Sequence, residues 1–168
     1  MKSNVSNEFY NTSILPYSAI IIKICRMYSN SQQDFEDYYQ EVCLQIWRSR
    51  NKFEGNSKKT TWIYRLTLNV CLTLLKREVK YRVVHVNSNN LPDKLVEEIQ
   101  IFRDKDLTKL YECIKQLSEI DRAIITLYLE ELSYKEIAHI MGTNTNNVGV
   151  KIKRIKNRLK KLLIKNKF

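Results

Sequence analysis

The stretch "LSYKEIAHIMGTNTNNVGVKIKRIKNRL", Leu132 to Leu159, decides the fold of the C-terminal half of this chain. Ser133 and Glu136 form a capping box, in which each side chain caps the backbone N–H of the other residue, and this predicts the start of a helix. Gly142 predicts the end of that helix, and Asn144 can cap a second, longer one. Two helices joined by "GTN" match the DNA-binding helix-turn-helix in length and turn chemistry. The buried side of the second helix is expected to carry Val148, Ile152, Ile155 and Leu159.

The first two turns of the second helix are where a helix-turn-helix faces the edges of the bases. Asparagine can form two hydrogen bonds with adenine, and the methyl groups of valine and threonine can contact the thymine methyl group. Gly149 costs about 1 kcal/mol in a helix interior, so it either permits close approach to DNA or is simply tolerated. We therefore expect base contacts from Thr145, Asn146, Asn147, Val150 and Lys151.

Positive charge is concentrated at the end of the chain. Residues Lys151 to Lys167 include nine basic side chains and no acidic one, and the formal net charge of the whole chain is +11. Such a run is a solvated surface in many proteins, but beside a DNA-reading motif it indicates nucleic acid as the partner.

The composition predicts an all-α fold. Only three glycines and two prolines occur in 168 residues, and no segment of useful length has the alternating period of a strand. Two further helices are expected before the helix-turn-helix, the second of them capped by Ser118. The apolar residues of the first are Leu107, Leu110, Tyr111 and Ile114, and those of the second are Ile124, Ile125, Leu127 and Tyr128.

The segment "VNSNNLPDKLVEEIQIFRDKD", Val86 to Asp106, predicts a flexible linker. It is rich in Asn, Ser and acidic residues, and its start lacks helical periodicity, although a short helix is expected near Leu95 to Phe102. The linker, 86–106, separates an N-terminal helical domain, 1–85, from a C-terminal helix-turn-helix domain, 107–168.

The stretch "DFEDYYQEVCLQIW", Asp34 to Trp47, gathers acid in a basic chain. At about 100° per residue it has one side suited to the core and an opposite side that displays acid. Two interpretations remain open, a solvated surface or a docking face for a basic partner. The core side is expected to carry Phe35, Tyr39, Val42 and Ile46, and the outward side Asp34, Asp37, Glu41 and Leu44.

The stretch "TTWIYRLTLNVCLTLLKR", Thr60 to Arg77, is apolar nearly all round, with one polar strip and Trp62 beside its start. Two interpretations fit equally well: a central bundle helix with one solvent-exposed edge, or a helix that presents hydrogen-bond donors and an aromatic ring to nucleic acid. The preceding loop, "NKFEGNSKK", has basic ends and could hold an unstacked base. The strip consists of Thr61, Arg65, Asn69, Thr73 and Lys76.

The residues needed for metal, cofactor or membrane binding are scattered or absent. The four cysteines form no CxxC pair, which fits reduced thiols packed in helices. A metal enzyme that uses Asp34, Asp37 and Glu41 is disfavoured, because no second helix offers E-x-x-H ligands. The apolar run Ser18 to Cys25 is too short to span a bilayer, and the N-terminus has no apolar signal core. We therefore expect a cytoplasmic protein without a catalytic site, a metal or a cofactor.

Taken together, three segments resemble the sigma-70 family of bacterial transcription initiation factors, specifically its small extracytoplasmic-function (ECF) branch. "DFEDYYQEVCLQIW" resembles the acidic core-binding motif of that branch, E-D-x-x-Q-E-x-x-x-x-x-W. "TTWIYRLTLNVCLTLLKR" resembles its T-W-L-Y-R-I-x-x-N segment, and "LSYKEIAHIMGTNTNNVGVKIKRIKNRL" resembles its promoter-reading helix-turn-helix. The three segments occur in the order of the family and cover most of the chain outside the linker and the ends.

The resemblance implies a transcription initiation factor, not an enzyme, that is monomeric when free. Its acidic helix would bind the clamp helices of core RNA polymerase, and its other two segments would recognise the −10 and −35 elements of promoter DNA. ECF proteins often have an anti-sigma factor as a further partner. The matching residues are Asp34, Asp37, Gln40, Glu41 and Leu44 for the polymerase; Lys58, Thr61, Trp62, Arg65, Asn69 and Lys76 for the −10 element; and Ser133, Lys135, Thr145, Asn146, Asn147, Val150, Lys151, Arg154 and Arg158 for the −35 element.

Two stretches depart from the family pattern. "LSEIDR" replaces the usual Leu-Pro before the second helix of the C-terminal domain, so Ser118 must supply the start signal. "NTNNVGV" differs from the common S-x-G-T-V-K-S, which affects the DNA sequence that is bound. The alternative is a helix-turn-helix regulator that acts without core polymerase, which leaves the acidic helix and the strip beside Trp62 without a role.

Overall fold

A computed structural model describes residues 7–53, 55, 57–85 and 105–165; for residues 81–85 and 105 it describes the backbone only. The chain divides into two compact units, Met1–Glu98 and Ile99–Phe168. No strand occurs among the described residues, in agreement with the predicted all-α class. Their seven α-helices are α1 (Ser18–Tyr28), α2 (Gln32–Arg48), α3 (Lys59–His85), α4 (Lys105–Lys115), α5 (Glu119–Leu129), α6 (Tyr134–Met141) and α7 (Thr145–Lys165).

The predicted linker lies largely outside the described residues, as does the short helix expected near Leu95 to Phe102. Helix α3 continues to His85, and α4 begins at Lys105, two residues before the expected start of the C-terminal domain at Leu107.

The N-terminal unit is a bundle in which α3 packs against both α1 and α2, and these two also pack against each other. A short π-helical turn, Tyr10–Ile14, precedes α1 and contacts α2. There the ring of Phe9 meets the ring of Trp47 edge-on, at a centroid distance of 4.9 Å. The buried core is built from Ile21, Ile24, Cys25, Met27 and Tyr28 of α1, Tyr38, Val42 and Ile46 of α2, and Ile63, Tyr64, Leu68 and Cys71 of α3.

The core side of α2 differs in part from the sequence prediction. Val42 and Ile46 are buried as expected, but Phe35 and Tyr39 are only half-buried, and Tyr38 is the third core residue, with 2% of its surface exposed. The hydroxyl group of Tyr38 donates a hydrogen bond of 2.9 Å to Oε1 of Glu78 on α3. Burial, followed by this hydrogen bond, raises the pKa of Tyr38. The hydrogen bond to Glu78 on the neighbouring helix therefore favours burial of Tyr38. A helical projection of α2 alone cannot predict this, because it does not include α3.

The C-terminal unit contains the predicted helix-turn-helix. Helix α7 packs against α4, α5 and α6. Both halves of the capping box at Ser133 and Glu136 are formed, and Gly142 ends α6 in the left-handed conformation with a φ of 65°. Asn144 accepts a hydrogen bond of 2.8 Å from the backbone N–H of Asn147, which confirms the predicted cap of α7. The buried side of α7 is Val148, Ile152, Ile155 and Leu159, as predicted.

Ser118 supplies the start signal of α5, where the family pattern has Leu-Pro. Its hydroxyl group accepts a hydrogen bond of 3.3 Å from the backbone N–H of Asp121. One turn later, Nη2 of Arg122 donates to the backbone carbonyl groups of Lys115 and Leu117 and so closes the end of α4. A cap and an arginine thus fix the junction between α4 and α5.

The apolar stripe predicted for α4 is only partly buried. Ile114 is buried and Leu110 and Tyr111 are half-buried, but 42% of Leu107 is exposed and Cys113 takes its place in the core. The reason is that Leu107 lines an open apolar groove, together with Leu129 and Ile164.

Gly149 lies against the ring of Tyr134. A Cβ atom added there would meet Cε2 of Tyr134 at 3.5 Å, an ordinary van der Waals distance. We expect Gly149→Ala to raise the free energy of unfolding of the C-terminal unit by up to about 1 kcal/mol, because alanine is the better helix former. Urea denaturation of the full chain followed by circular dichroism measures the effect.

The matched control is Gly142→Ala. Its φ of 65° strains any residue with a Cβ atom, so we expect this variant to be less stable than the natural sequence. If Gly149→Ala were instead destabilising, the expected gain in stability would be wrong. If it lost DNA binding while remaining folded, the glycine would be needed for close approach to DNA.

Candidate functional site

The predicted polymerase-binding residues line one groove of about 610 Å³ between α2 and α3, here called the acidic groove. Asp37 and Gln40 are exposed and Asp34 and Glu41 half-buried, while 39% of Leu44 is exposed. The structure therefore brings all five predicted residues to one surface. The groove also includes Tyr38 of α2 and Leu74, Arg77 and Glu78 of α3.

Two carboxylates of the acidic groove accept local hydrogen bonds. Oδ2 of Asp34 accepts from the backbone N–H of Asn30 at 3.2 Å, and Oε1 of Glu41 accepts from the side-chain amide of Gln45 at 2.8 Å. Four carboxylates line the groove, and Arg77 is the only basic side chain among its lining residues. The surplus of negative charge beside exposed Leu44 favours a partner that presents basic and apolar side chains together.

A second groove of about 410 Å³, here called the Trp62 groove, continues along the same two helices. Arg65, Asn69 and Thr73 of the predicted polar strip line it, with Trp62 at one end, and the three strip residues are exposed. The hydroxyl group of Thr73 donates to the backbone carbonyl of Asn69 at 2.7 Å, so it is satisfied within the helix. The side walls on α2 come from Glu41, Gln45 and Ser49.

Thr61 does not belong to the exposed strip, contrary to the sequence prediction. Only 9% of its surface is exposed. Residues four apart on a helix are offset by about 40°, so a strip centred on Asn69 has turned by about 80° when it reaches Thr61. Lys58 and Lys76, the other predicted cations, are exposed but line neither groove.

The loop before α3 places a second aromatic ring beside Trp62. The ring centroid of Phe53 lies 5.5 Å from that of Trp62, and the rings are tilted by 53°. Gly55 has a φ of 73°, which allows the loop to turn back toward α3. Sequence reasoning missed Phe53, although an aromatic residue within a basic loop was a visible signal.

The helix-turn-helix presents nearly all the predicted −35 residues to solvent. Lys151 is the exception: it is half-buried, and its ammonium group lies 3.5 Å from a carboxylate oxygen of Asp121 on α5. The hydroxyl group of Ser133 is engaged in the capping box of α6. Exposed side chains are those of Ser133, Lys135, Thr145, Asn146, Asn147, Val150, Arg154 and Arg158.

The basic residues of α7 fall on two sides of the helix. Arg154 and Arg158 follow Asn147 by seven and eleven residues, so the three lie on one side at intervals close to whole turns. Lys156 lies on the other side, where its ammonium group bonds the hydroxyl group of Tyr128 at 2.7 Å and sits over its ring. Arg154 and Arg158 therefore lie on the side of α7 that carries Asn147, whereas Lys156 contacts Tyr128 of the same unit.

Comparison with known families identifies both units. The family model for sigma-70 region 2 matches residues 14–81, which include both grooves, and the model for sigma-70 region 4 matches residues 107–159, which include the helix-turn-helix. The chain belongs to the sigma-70 family.

Several curated sigma factors are similar along most of the chain. RNA polymerase sigma factor YlaC of Bacillus subtilis is 24% identical over 136 residues, 79% of each chain. RNA polymerase sigma-H factor of Pseudomonas aeruginosa is 26% identical and covers 92% of this chain and 86% of its own. RNA polymerase sigma factor SigS of Staphylococcus aureus is 29% identical and covers 84% and 88%.

Two solved structures share the fold. One is the sigma factor RpoE of Bartonella quintana in complex with the anti-sigma factor NepR, with a TM-score of 0.72, 21% identity and coverage of 92% of this chain and 96% of that one. The other is CnrH in complex with the cytosolic domain of CnrY, with a TM-score of 0.65, 17% identity and coverage of 94% and 88%.

Sequence reasoning missed the α3 wall of the acidic groove in this sigma factor. Leu74, Arg77 and Glu78 face α2 across the groove, and only the pairing of two helices brings them to Asp34 and Glu41. Within the described part of the chain, no three His, Cys, Asp or Glu side chains are placed to hold a metal ion. None of the described helices is long and apolar enough to cross a membrane.

Proposed function

We propose that this sigma factor binds core RNA polymerase through the acidic groove, contacts the −10 element through the Trp62 groove and reads the −35 element with α7. The observation that carries the proposal is that all five predicted polymerase-binding residues line one groove. If the acidic residues were only a solvated surface, we would not expect Leu44 and Gln40 to lie beside the carboxylates in one concave site. The protein acts in the cytoplasm as an initiation factor without catalytic activity of its own.

An anti-sigma factor is the third partner in this proposal. One similar solved structure holds a sigma factor together with an anti-sigma factor, and the other holds CnrH together with the cytosolic domain of CnrY. Before it meets a partner, the protein is a monomer.

Transcription with purified components tests the proposed function. Core RNA polymerase alone starts at few specific sites, so added protein is expected to produce discrete transcripts from a subset of promoters on genomic DNA. A regulator that acts without core polymerase would bind DNA fragments yet produce no such transcripts. That outcome would overturn the proposal while leaving the helix-turn-helix in place.

The Trp62 groove gives a prediction about promoter melting. We expect Arg65→Ala and Asn69→Ala each to reduce open-complex formation several-fold while changing affinity for core polymerase less than twofold. Both side chains are exposed and line the Trp62 groove, outside the acidic groove. Permanganate footprinting of the melted region measures the first quantity, and a titration with core polymerase measures the second.

Lys80→Ala is the matched control for charge, since Lys80 is exposed on the same helix and lines neither groove. Trp62 is a poorer probe because its ring packs on Phe53. Normal melting in both groove variants would remove the −10 assignment.

A further inference from the structure

Three of the four cysteines lie in the N-terminal unit, each on a different helix: Cys25 on α1, Cys43 on α2 and Cys71 on α3. Cys25 and Cys71 have no exposed surface, whereas Cys43 is half-buried. The Sγ atoms of Cys25 and Cys71 are 4.0 Å apart, although 46 residues separate them along the chain. The proposed function uses none of these thiols.

We propose that Cys25 and Cys71 form a modification site, in which a peroxide or another two-electron thiol oxidant joins them in a disulfide that ties α1 to α3. The two sulfur atoms are already in van der Waals contact. A disulfide bond is about 2.05 Å long, so they must approach by roughly 2 Å. The two helices pack directly against each other, so rotation of the two side chains and a small helix shift supply this approach.

The chemistry is balanced with peroxide as the oxidant. The thiolate of one cysteine attacks a peroxide oxygen, the O–O bond breaks, and a sulfenic acid and one water form. The second thiol attacks the sulfenic sulfur, the S–S bond forms, and the sulfenic hydroxyl group leaves as a second water. Two thiols have then lost two electrons and two protons, and one hydrogen peroxide has become two waters.

The surroundings of the pair make this reaction slow. The neighbouring Cys25 thiol and burial raise the pKa of the Cys71 thiol well above its ordinary value, so little thiolate exists at neutral pH. The same burial keeps reductants from the finished bond. The site therefore acts as a lock that forms under sustained oxidation and not as a rapid sensor.

The expected consequence is a more stable polymerase-binding unit. The bond closes a loop that contains all of α2, which restricts the unfolded chain more than the folded one. The sulfur atoms lie in the core and line neither groove, so the proposed binding surfaces keep their residues. The lock thus stabilises the unit without occupying either surface.

Peptide mapping of the oxidised full-length protein tests the proposal. The chain is treated with hydrogen peroxide or diamide, free thiols are blocked in denaturant, and a digest made without reductant is analysed by mass spectrometry. We expect one linked pair of peptides that contain Cys25 and Cys71, in the natural sequence and in the Cys43→Ser and Cys113→Ser variants. The thermal midpoint should rise by roughly 5 °C or more, and it should return to that of the reduced protein once the bond has been reduced with dithiothreitol in denaturant and the chain refolded.

The pair should be absent from Cys71→Ala, and Cys25→Ala provides the same comparison if the first variant does not fold. A main product that links Cys43 to either buried thiol overturns the proposal. So does oxidation of Cys43 to completion with no linked Cys25, or a thermal midpoint that falls on formation of the bond. None of these readouts requires transcription activity, so they stand apart from the proposed function.

Discussion

The double variant Asp37→Ala with Glu41→Ala is expected to bind core RNA polymerase roughly tenfold or more weakly than the natural sequence. Charged side chains that pair across an interface contribute several kcal/mol when one partner is truncated, although rim contacts contribute less. Asp37 is exposed and Glu41 half-buried in the acidic groove, so both can meet a basic partner. Fluorescence titration of labelled protein with core polymerase measures the affinity.

Folding should be nearly unaffected, because exposed substitutions usually change stability by less than about 0.5 kcal/mol. The substitution of Glu41 removes the hydrogen bond that it accepts from Gln45 within the same helix. Helical content by circular dichroism should therefore match the natural sequence. The affinity of the natural protein should also fall as salt is raised, and more steeply than that of the variant.

The matched control is Glu8→Ala with Glu36→Ala. It removes the same number of charges from the same unit, both residues are exposed, and neither lines the acidic groove. Glu36 accepts a bond from Gln32 at 2.9 Å, just as Glu41 accepts one from Gln45, so loss of a within-helix bond is matched as well. Equal affinity for the two double variants would show that net charge, and not the groove, controls binding.

The sequence predicted best what local chemistry decides. The caps at Ser118, Ser133 and Asn144 and the stop at Gly142 involve residues within three or four positions of one another, and all four formed as expected. The buried side of α7 was equally easy to predict, because a helix with four apolar residues at regular spacing has only one side to bury.

The sequence predicted less well what depends on a neighbouring helix. Phe35, Tyr38 and Tyr39 are all aromatic, so the sequence of α2 does not say which of them enters the core. The hydrogen bond between Tyr38 and Glu78, which lie 40 residues apart, favours Tyr38. Thr61 was assigned to a strip that drifts around α3. Leu107 lines a groove that α4 forms with two other helices, and the contact between Cys25 and Cys71 needs two packed helices.

The DNA-binding surface of α7 gives the second large expected effect. We expect Asn147→Ala to cost about 1–3 kcal/mol on the preferred −35 sequence, roughly a five- to 150-fold loss of affinity, and little on unrelated DNA. The cap of α7 is made by the backbone N–H of Asn147 and survives the substitution. The side-chain amide, which donates to the hydroxyl group of Thr143 at 3.3 Å, is exposed and free to turn to a base.

Arg158→Ala should behave differently, because Arg158 lies three turns farther along the same side of α7, where a recognition helix leaves the bases and nears phosphates. A phosphate contact carries position and charge but little sequence information. We therefore expect weaker binding to every duplex and a salt slope reduced by about one unit if one phosphate is neutralised. Lys160→Ala is its control, since that exposed cation lines the apolar groove instead.

A salt series on two duplexes separates these contacts. One duplex is selected for binding to the full-length protein from a random pool, and the other is a scrambled version of it. Asn157→Ala repeats the change at Asn147 on the same helix, ten residues later and also exposed, so it controls for helix propensity and for the loss of an amide. If Asn147→Ala weakens both duplexes equally, the side of α7 that reads bases is not the one that carries Asn147.

The ion pair between Lys151 and Asp121 then becomes informative, because the ammonium group of Lys151 lies 3.5 Å from a carboxylate oxygen of Asp121 and must leave it to contact DNA. Asp121→Asn would release it, and tighter binding to both duplexes would identify Lys151 as a phosphate contact and not a base contact.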